Sequence, residues 1–330
     1  MTDAGMEVLF VCSVAKTGEC SNAVREQARC LKEAGLRISF LGVERGGVTG
    51  YLKAILRLRR LLHERSFDVV HAHYGLCGMV ASLACARPLV VSLMGSDVLG
   101  SLWLRWMVGF FAAWIWPEVV VKSVEMANAP GLSNAKVIPN GVDLSLFREI
   151  PREQARRNTG VQNGKVVLWP AAPDREVKDY ELAGRVMEKL KRQDCHLLVV
   201  EKVPFCEMPF YFNAADVVLV TSRHEGSPNV VKEALACNVP VVSTQVGDVE
   251  HWLGGIDGCG LCDPDPVSLA EGLVEAFRSN GRCKGRSRVE EVSADKITKK
   301  LITLYRNQIR EACTNKKGVG ENHGIEDRNI

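Results

Sequence analysis

The chain has 330 residues, 46% of them hydrophobic and 25% charged, with a formal net charge of +3. That length suggests about two domains, and so small a charge, with aromatics not interleaved among basic residues, argues against nucleic acid as a partner. The twelve cysteines are scattered. The one close pair, Cys259 and Cys262, cannot complete a four-ligand zinc site and reads as a strand edge, with a redox pair as the alternative. Cys12, Cys85 and Cys237 lie in apolar segments and read as buried thiols, so a reducing cytoplasm fits the pattern.

In chain order, Val8–Cys12 reads as a first strand. Asp3 stands where an export signal would need positive charge, and no apolar run is long enough to span a bilayer. A helix over Ala23–Ala34 closed by Gly35 follows, then a strand Ile38–Gly42 and a basic amphipathic helix Tyr51–Glu64. Next come a strand Asp68–Ala72, a small-residue helix Leu76–Ala86, and strands Leu89–Leu93 and Val119–Lys122. Such alternation predicts a parallel sheet with crossover helices.

Gly100–Pro117 (GSLWLRWMVGFFAAWIWP) holds four of the six tryptophans and two phenylalanines. Trp103, Trp106, Phe110 and Trp114 follow helical spacing within a segment that is apolar nearly all round. The first reading is a helix buried in the N-terminal domain. The alternative is an interfacial helix giving peripheral membrane contact, with the basic stretch Lys53–Arg60 drawn to anionic lipid.

Val137–Phe147 (VIPNGVDLSLF) breaks the rhythm at Pro139, Asn140 and Gly141 and reads as an interdomain connection. The alternation then restarts: Val166–Trp169, a helix near Tyr180–Lys191, Leu197–Val200, Val217–Thr221, a helix Ser227–Cys237 and Val239–Ser243. Helices Ala270–Arg278 and Asp295–Arg310 follow. The resulting division is an N-terminal domain over 1–145, a second α/β domain over 146–294, a C-terminal crossover helix over 295–312 and a disordered polar tail over 313–330. Two α/β halves joined by a hinge imply a cleft that holds the ligand.

The segment VVLVTSRHEGSPNVVKEALACNVPVV (Val217–Val242) carries the sharpest chemistry. Ser227 is placed as an N-cap with Pro228 at the first helical position, so Asn229 and Glu233 share a helical face, separated by a turn of about 5.4 Å. Free N–H groups of the first turn attract an anion. Glu225 would lie across the loop, beyond the end of a strand, where open α/β sheets bind ligands. Anion donors between two carboxylates suit a ligand that is part phosphate and part polyol, such as a sugar nucleotide. The plain alternative is two solvated glutamates.

EGSPNVVKEALACNVPVV resembles the E-x7-E segment of retaining GT-B glycosyltransferases of family 4, the group 1 glycosyl transferases. VIPNGVDLSLF is similar to that family's interdomain segment, and DVVHAHYG (Asp68–Gly75) with PLVVSLMGSDV (Pro88–Val98) resembles its N-domain core. The likeness runs in the same order over roughly residues 6–310. It implies an α/β fold of two Rossmann-like domains with parallel sheets facing across a cleft, and transfer of a sugar from a UDP-, GDP- or ADP-sugar to a glycan or lipid-linked hydroxyl acceptor with retention. No metal or other cofactor is implied.

By that resemblance Glu233 binds the ribose hydroxyls, Glu225 contacts the transferred sugar, and the backbone of Gly226, Ser227, Pro228, Asn229 and Val230 holds the diphosphate and sugar. Arg175 and Lys178, on the loop WPAAPDREVKDY, correspond to the family's cations for the leaving nucleoside diphosphate. A solvated loop pair is their plain alternative. Gly18, after the first strand, would let backbone approach the donor phosphates, and Gly95 and Asp97 fall on the acceptor side. The chain departs from the family pattern where H-G-x-D reads Met94-Gly95-Ser96-Asp97, a thioether replacing an imidazole donor. Three readings follow. His71 or His73 takes over, with His73 nearer the strand end; or the step needs no such group, the departing phosphate oxygen taking the acceptor's proton; or activity is weakened. Packed histidines and an Asp97 N-cap are the structural alternatives. A sugar-nucleotide epimerase and a weakly active sugar-nucleotide-binding protein are the rival functions.

Overall fold

The computed structural model describes residues 5–15, 17–44, 47–161, 164–190, 194–278 and 282–321, the side chains of 315–321 excepted. The chain divides into two compact units, Met1–Ile138 with Ile297–Ile330, and Pro139–Lys296.

The first unit has strands β1 (Glu7–Val14), β2 (Arg37–Glu44), β3 (Val69–His73), β4 (Leu89–Ser92), β5 (Glu118–Val121) and β6 (Lys136–Val137), parallel in the order β2-β1-β3-β4-β5-β6. Strands β3, β4 and β5 are buried at every position, which is why they are short and mostly apolar. The helices are α1 (Asn22–Glu33), α2 (Gly47–Glu64), α3 (Gly75–Leu83), α4 (Ser96–Leu99), α5 (Leu102–Trp114) and α6 (Val124–Ala127). Ala54 and Leu58 of α2, Val80 of α3, and Leu104 and Val108 of α5 join one core cluster with Val70 and Val91 of the sheet.

Two readings are corrected in this unit. Helix α5 is not buried all round. Leu104 and Val108 face the core, while Trp103, Trp106, Phe110 and Trp114 are exposed, because a helix on the flank of a single sheet buries only one stripe. Cys85 is exposed, at the left-handed turn (φ 61°) that ends α3, whereas Cys12 and Cys237 are buried.

The second unit contains α7 (Arg152–Thr159), β7 (Lys165–Trp169), α8 (Tyr180–Leu190), β8 (Cys195–Val199), α9 (Met208–Ala214), β9 (Val217–Val220), α10 (Asn229–Ala236), β10 (Val241–Thr244), α11 (Val249–Leu253), β11 (Gly260–Cys262), α12 (Pro266–Arg278) and α13 (Arg286–Val289). Its strands are parallel in the order β11-β10-β9-β7-β8. Cys262 ends the edge strand β11, while the Cys259 sulfur accepts from the Val241 N–H at 3.4 Å. Helix α7 has no apolar stripe and escapes sequence periodicity. Buried Asp216 holds it in place by accepting from Arg152 at 2.9 Å and Arg156 at 3.0 Å.

The boundary falls earlier than residue 145. Val142 exchanges backbone hydrogen bonds with Val292 and Ala294 (3.0 and 2.7 Å), and the Arg286 guanidinium donates to the carbonyls of Leu144 and Phe147, each at 2.7 Å. These bonds make the connection part of the second unit from Pro139 on. The last helix, α14 (Ala294–Glu321), starts in the second unit and belongs to the first from Ile297. It corrects the expectation of disorder over 313–321, since a polar segment without proline extends an established helix one hydrogen bond at a time. The expected disorder of 322–330 lies outside the described residues. Among the described residues no helix is long and apolar enough to cross a membrane.

In both sheets the strand order reverses once, between β1 and β3 and between β7 and β9. Open α/β sheets bind ligands beyond the carboxyl ends of strands at such a reversal.

Candidate functional site

In the second unit, the loops that follow β7 and β9 meet at this reversal. Thr221, just past β9, accepts from the Trp169 indole N–H at 2.9 Å and directs its hydroxyl at the carbonyls of Lys178 and Asp179 (2.7 and 3.0 Å). Asp179 takes a left-handed backbone (φ 52°), and its carboxylate accepts from the Leu182 N–H at 3.2 Å and Arg223 Nε at 2.8 Å. The hydrogen bond from Arg223 holds the Asp179 carboxyl below its usual range. This bracing delivers Lys178 to Glu225, and Nζ donates to Oε1. Ser222 Oγ donates to the same oxygen at 3.0 Å. Arg175 is exposed on the same loop, and its carbonyl accepts the Lys178 N–H at 2.8 Å.

Helix α10 starts at Asn229, with Pro228 rather than Ser227 at the N-cap position and no side-chain cap. The expected Ser227 cap is corrected because its hydroxyl has stronger electrostatic partners. It donates to Asp248 Oδ2 at 2.8 Å and accepts from Lys232 Nζ at 3.1 Å. Asn229 and Glu233 still share a face, one turn apart, and Asn229 Oδ1 accepts from Asn140 Nδ2 at 3.2 Å. Gly226 is buried, and its carbonyl would lie 2.8 Å from a β-carbon placed on Gly247. Gly247 also has a positive φ (51°), so only glycine lets the loop after β10 approach Glu225 and Gly226 so closely.

Lys232, which sequence reasoning passed over, is fully buried beneath this helix start. Its ammonium also points at the Asn140 carbonyl (3.4 Å) and lies 5.8 Å from the Trp252 ring centre. Burial pushes its pKa down to about 8, with Asp248 and Glu233 acting in the opposite direction. The signal available in the sequence was a lysine one turn after Asn229, directly following Val230 and Val231.

The remaining predicted residues lie in the first unit. Gly18 sits with φ 81° in a tight turn after β1, and open space surrounds the position of a β-carbon. His71 and His73 are buried at the end of β3, with ring centres 4.1 Å apart. His71 is held through both ring nitrogens, Nδ1 to the Tyr305 hydroxyl (2.6 Å) and Nε2 to Ser92 Oγ (2.8 Å). It is a packed histidine. His73 Nε2 has no hydrogen-bond partner among the described residues. Burial, with Lys122 nearby, holds both imidazoles well below the ordinary histidine range, His73 adding to the effect on His71. Both rings are therefore neutral near pH 7.

Past His73, Tyr74 has φ 95°, a conformation that costs a non-glycine residue on the order of 1–3 kcal/mol. Gly75 follows because a β-carbon there would lie 2.6 Å from Val108. The Gly75 N–H donates to Asp97 Oδ2 at 2.9 Å, and the N–H groups of Met94 and Gly95 each donate to Asp97 Oδ1 at 2.9 Å. Gly95 itself is the N-cap of α4, with φ 117°. Asp97 is fully buried and is neither an N-cap nor a group open to an acceptor; that expectation is corrected. Three backbone donors converge there because two loops turn sharply around one carboxylate.

The family described as "Glycosyl transferases group 1" matches residues 164–279, and the "Glycosyl transferase 4-like domain" matches residues 1–121. The chain belongs to the group 1, family 4-like glycosyltransferases. Among curated relatives, the putative teichuronic acid biosynthesis glycosyltransferase TuaC of Bacillus subtilis is 30% identical over 63% of this chain and 60% of its own length. A D-inositol 3-phosphate glycosyltransferase of Catenulispora acidiphila is 26% identical over 62% of each. The chain thus spans less than two thirds of these first curated relatives. Among solved structures, sucrose-phosphate synthase of Thermosynechococcus elongatus aligns with a TM-score of 0.81 over 93% of this chain and all of that one, at 15% identity. Anabaena HepE, solved with UDP and glucose, aligns with a TM-score of 0.68 over 94% of this chain and 99% of that one, at 19% identity. At these identities the structural likeness shows the family's fold of two Rossmann-like parallel-sheet domains.

Proposed function

We propose that this chain transfers a sugar from a nucleotide-sugar donor to a hydroxyl of a glycan or lipid-linked acceptor, with retention and without a metal. The observation that carries the reading is the braced Lys178–Glu225 pair beside the start of α10, at the strand-order reversal of the second unit. Family membership and the UDP-bound structural neighbour support it and make UDP-sugars the first donors to try.

In this reading Glu233 takes the ribose hydroxyls, Glu225 the transferred sugar, and Gly226–Val230 the diphosphate. The bond between the sugar C1 and the β-phosphate oxygen breaks as the acceptor oxygen bonds to C1 on the same face. Negative charge gathers on the departing nucleoside diphosphate, where Arg175, Lys178 and the free N–H groups of the α10 first turn stabilise it. The departing phosphate oxygen takes the acceptor's proton. A cytoplasmic location suits a nucleotide-sugar substrate.

Thermal-shift screening against UDP-, GDP- and ADP-sugars, followed by a nucleoside diphosphate release assay, tests the proposal. A donor that raises Tm and releases diphosphate only when Glu225, Arg175 and Lys178 are intact supports it. Binding with no release in the presence of saccharide or lipid-linked acceptors favours the weakly active binding protein instead.

A further inference from the structure

The first unit carries a surface that the transfer reaction does not use. On α5, Trp106 and Trp114 are 82% and 81% exposed, Trp103 is 65% exposed, and Leu102 and Phe110 are also exposed. Trp103, Trp106, Phe110 and Trp114 fall at positions i, i+3, i+7 and i+11 and line one side of the helix. Beside them, between α5 and the turn at 129–132, runs an apolar groove of about 440 Å³. Trp106, Phe110, Trp114 and Pro130 line it, and Arg105 is its one charged lining residue among those described. Three exposed indoles on one helix are far from the scattered single apolar residues of an ordinary surface.

The one charged residue of α5 is the exposed Arg105. Helix α5 contains no acidic residue. Helix α2, which shares its core cluster, exposes Leu52 and Leu56 among Lys53, Arg57 and Arg60. Indole rings with an apolar body and a polar N–H favour the boundary between headgroups and acyl chains. Cations beside them favour anionic lipid.

We infer that the α5 face docks on the surface of an anionic phospholipid bilayer, with Trp103, Trp106, Phe110 and Trp114 entering the headgroup–acyl boundary and the cationic side of α2, which packs on the same helix α3 as α5 does, adding attraction to anionic lipid. The inference stands whether or not the transfer reading holds. The full chain is mixed with vesicles of phosphatidylcholine alone or with phosphatidylglycerol at low salt, and flotation and tryptophan emission are followed. The expected result is co-flotation with the anionic vesicles, a blue-shifted emission, and loss of both on adding salt. The exposed double variant Trp106→Glu/Trp114→Glu, with circular dichroism and Tm unchanged, lowers the partition by roughly tenfold or more. The variant Arg57→Glu/Arg60→Glu weakens binding to the anionic vesicles and leaves weak binding to neutral ones unaltered. Failure of the folded chain to float with anionic vesicles, or equal flotation of the double tryptophan variant, overturns the inference. So does a dimer in sedimentation velocity that the tryptophan variant abolishes while no vesicle binding is seen.

Discussion

Lys178 donates from Nζ to Glu225 Oε1, the oxygen that also accepts from Ser222 Oγ at 3.0 Å, so the two loops at the strand-order reversal of the second unit are joined through one carboxylate oxygen. The other oxygen of Glu225 carries no hydrogen bond from Lys178 or Ser222. The pair is only partly exposed, at 15% and 19%. Its geometry is set by Thr221 and Asp179 from below rather than by the pair itself. Replacing Lys178 by Ala or Glu225 by Gln should lower the rate of diphosphate release by roughly tenfold to a hundredfold, a loss of one to two charge-assisted interactions. Because the two residues touch, the double variant should lose less than the product of the single losses. A steady-state double-mutant cycle checks this, and strict additivity would show that they act separately.

Glu233 stands one turn into α10, on the side of Asn229. Its truncation to Ala should raise the donor Kd by roughly tenfold, the loss of hydrogen bonds to a charged group. Isothermal titration with the donor found in the thermal-shift screen measures it. Unchanged affinity would place the ribose elsewhere.

Asp97 predicts a stability effect, not an acceptor effect. Asp97→Ala leaves the N–H groups of Gly75, Met94 and Gly95 without their buried acceptor, at a cost of about 3 kcal/mol or more. Urea unfolding should show the midpoint falling for the first unit. A variant of wild-type stability with only a raised acceptor KM would contradict the burial of this carboxylate.

The two buried histidines set a pH dependence. Both have pKa values depressed in the folded state, so between those values and the unfolded value near 6.5 the unfolded chain binds more protons. The stability they contribute is therefore fully present above about pH 6.5 and is lost as the pH falls below it, by up to about 1.4 kcal/mol per pH unit for each ring. Tm measured from pH 7.5 down to 5 should fall, and His73→Phe should flatten the slope. An unchanged slope would mean that His73 is not held neutral.

Much of this molecule was legible along the chain because its strands are buried on both faces. Runs such as VVLV and LVVS have no other use than as central parallel strands, and the polar loops between them mark their ends. The short helices α7, α9, α11 and α13 were not legible. Helix α7 illustrates why: Arg152, Arg156 and Asp216 hold it through ion pairs to a residue some sixty positions away, which leaves no periodic trace. The cap of α10 was misplaced by one residue because Ser227 suits an N-cap by its local chemistry, and only the folded chain brings Asp248 and Lys232 within reach of its hydroxyl.

The sequence by itself determined two alternating α/β units, the E-x7-E segment, and the presence of cations on the loop after β7. Those follow from hydrophobic burial and local backbone preference, which act between near neighbours. Only the tertiary structure decided that Lys178 meets Glu225, that Asp97 is a buried anchor, that His71 is committed while His73 Nε2 is not, and that the tryptophans of α5 face outward. Each depends on which polar atoms a distant segment brings within about 3 Å, and hydrogen bonds are too short-ranged and directional to be read from spacing alone.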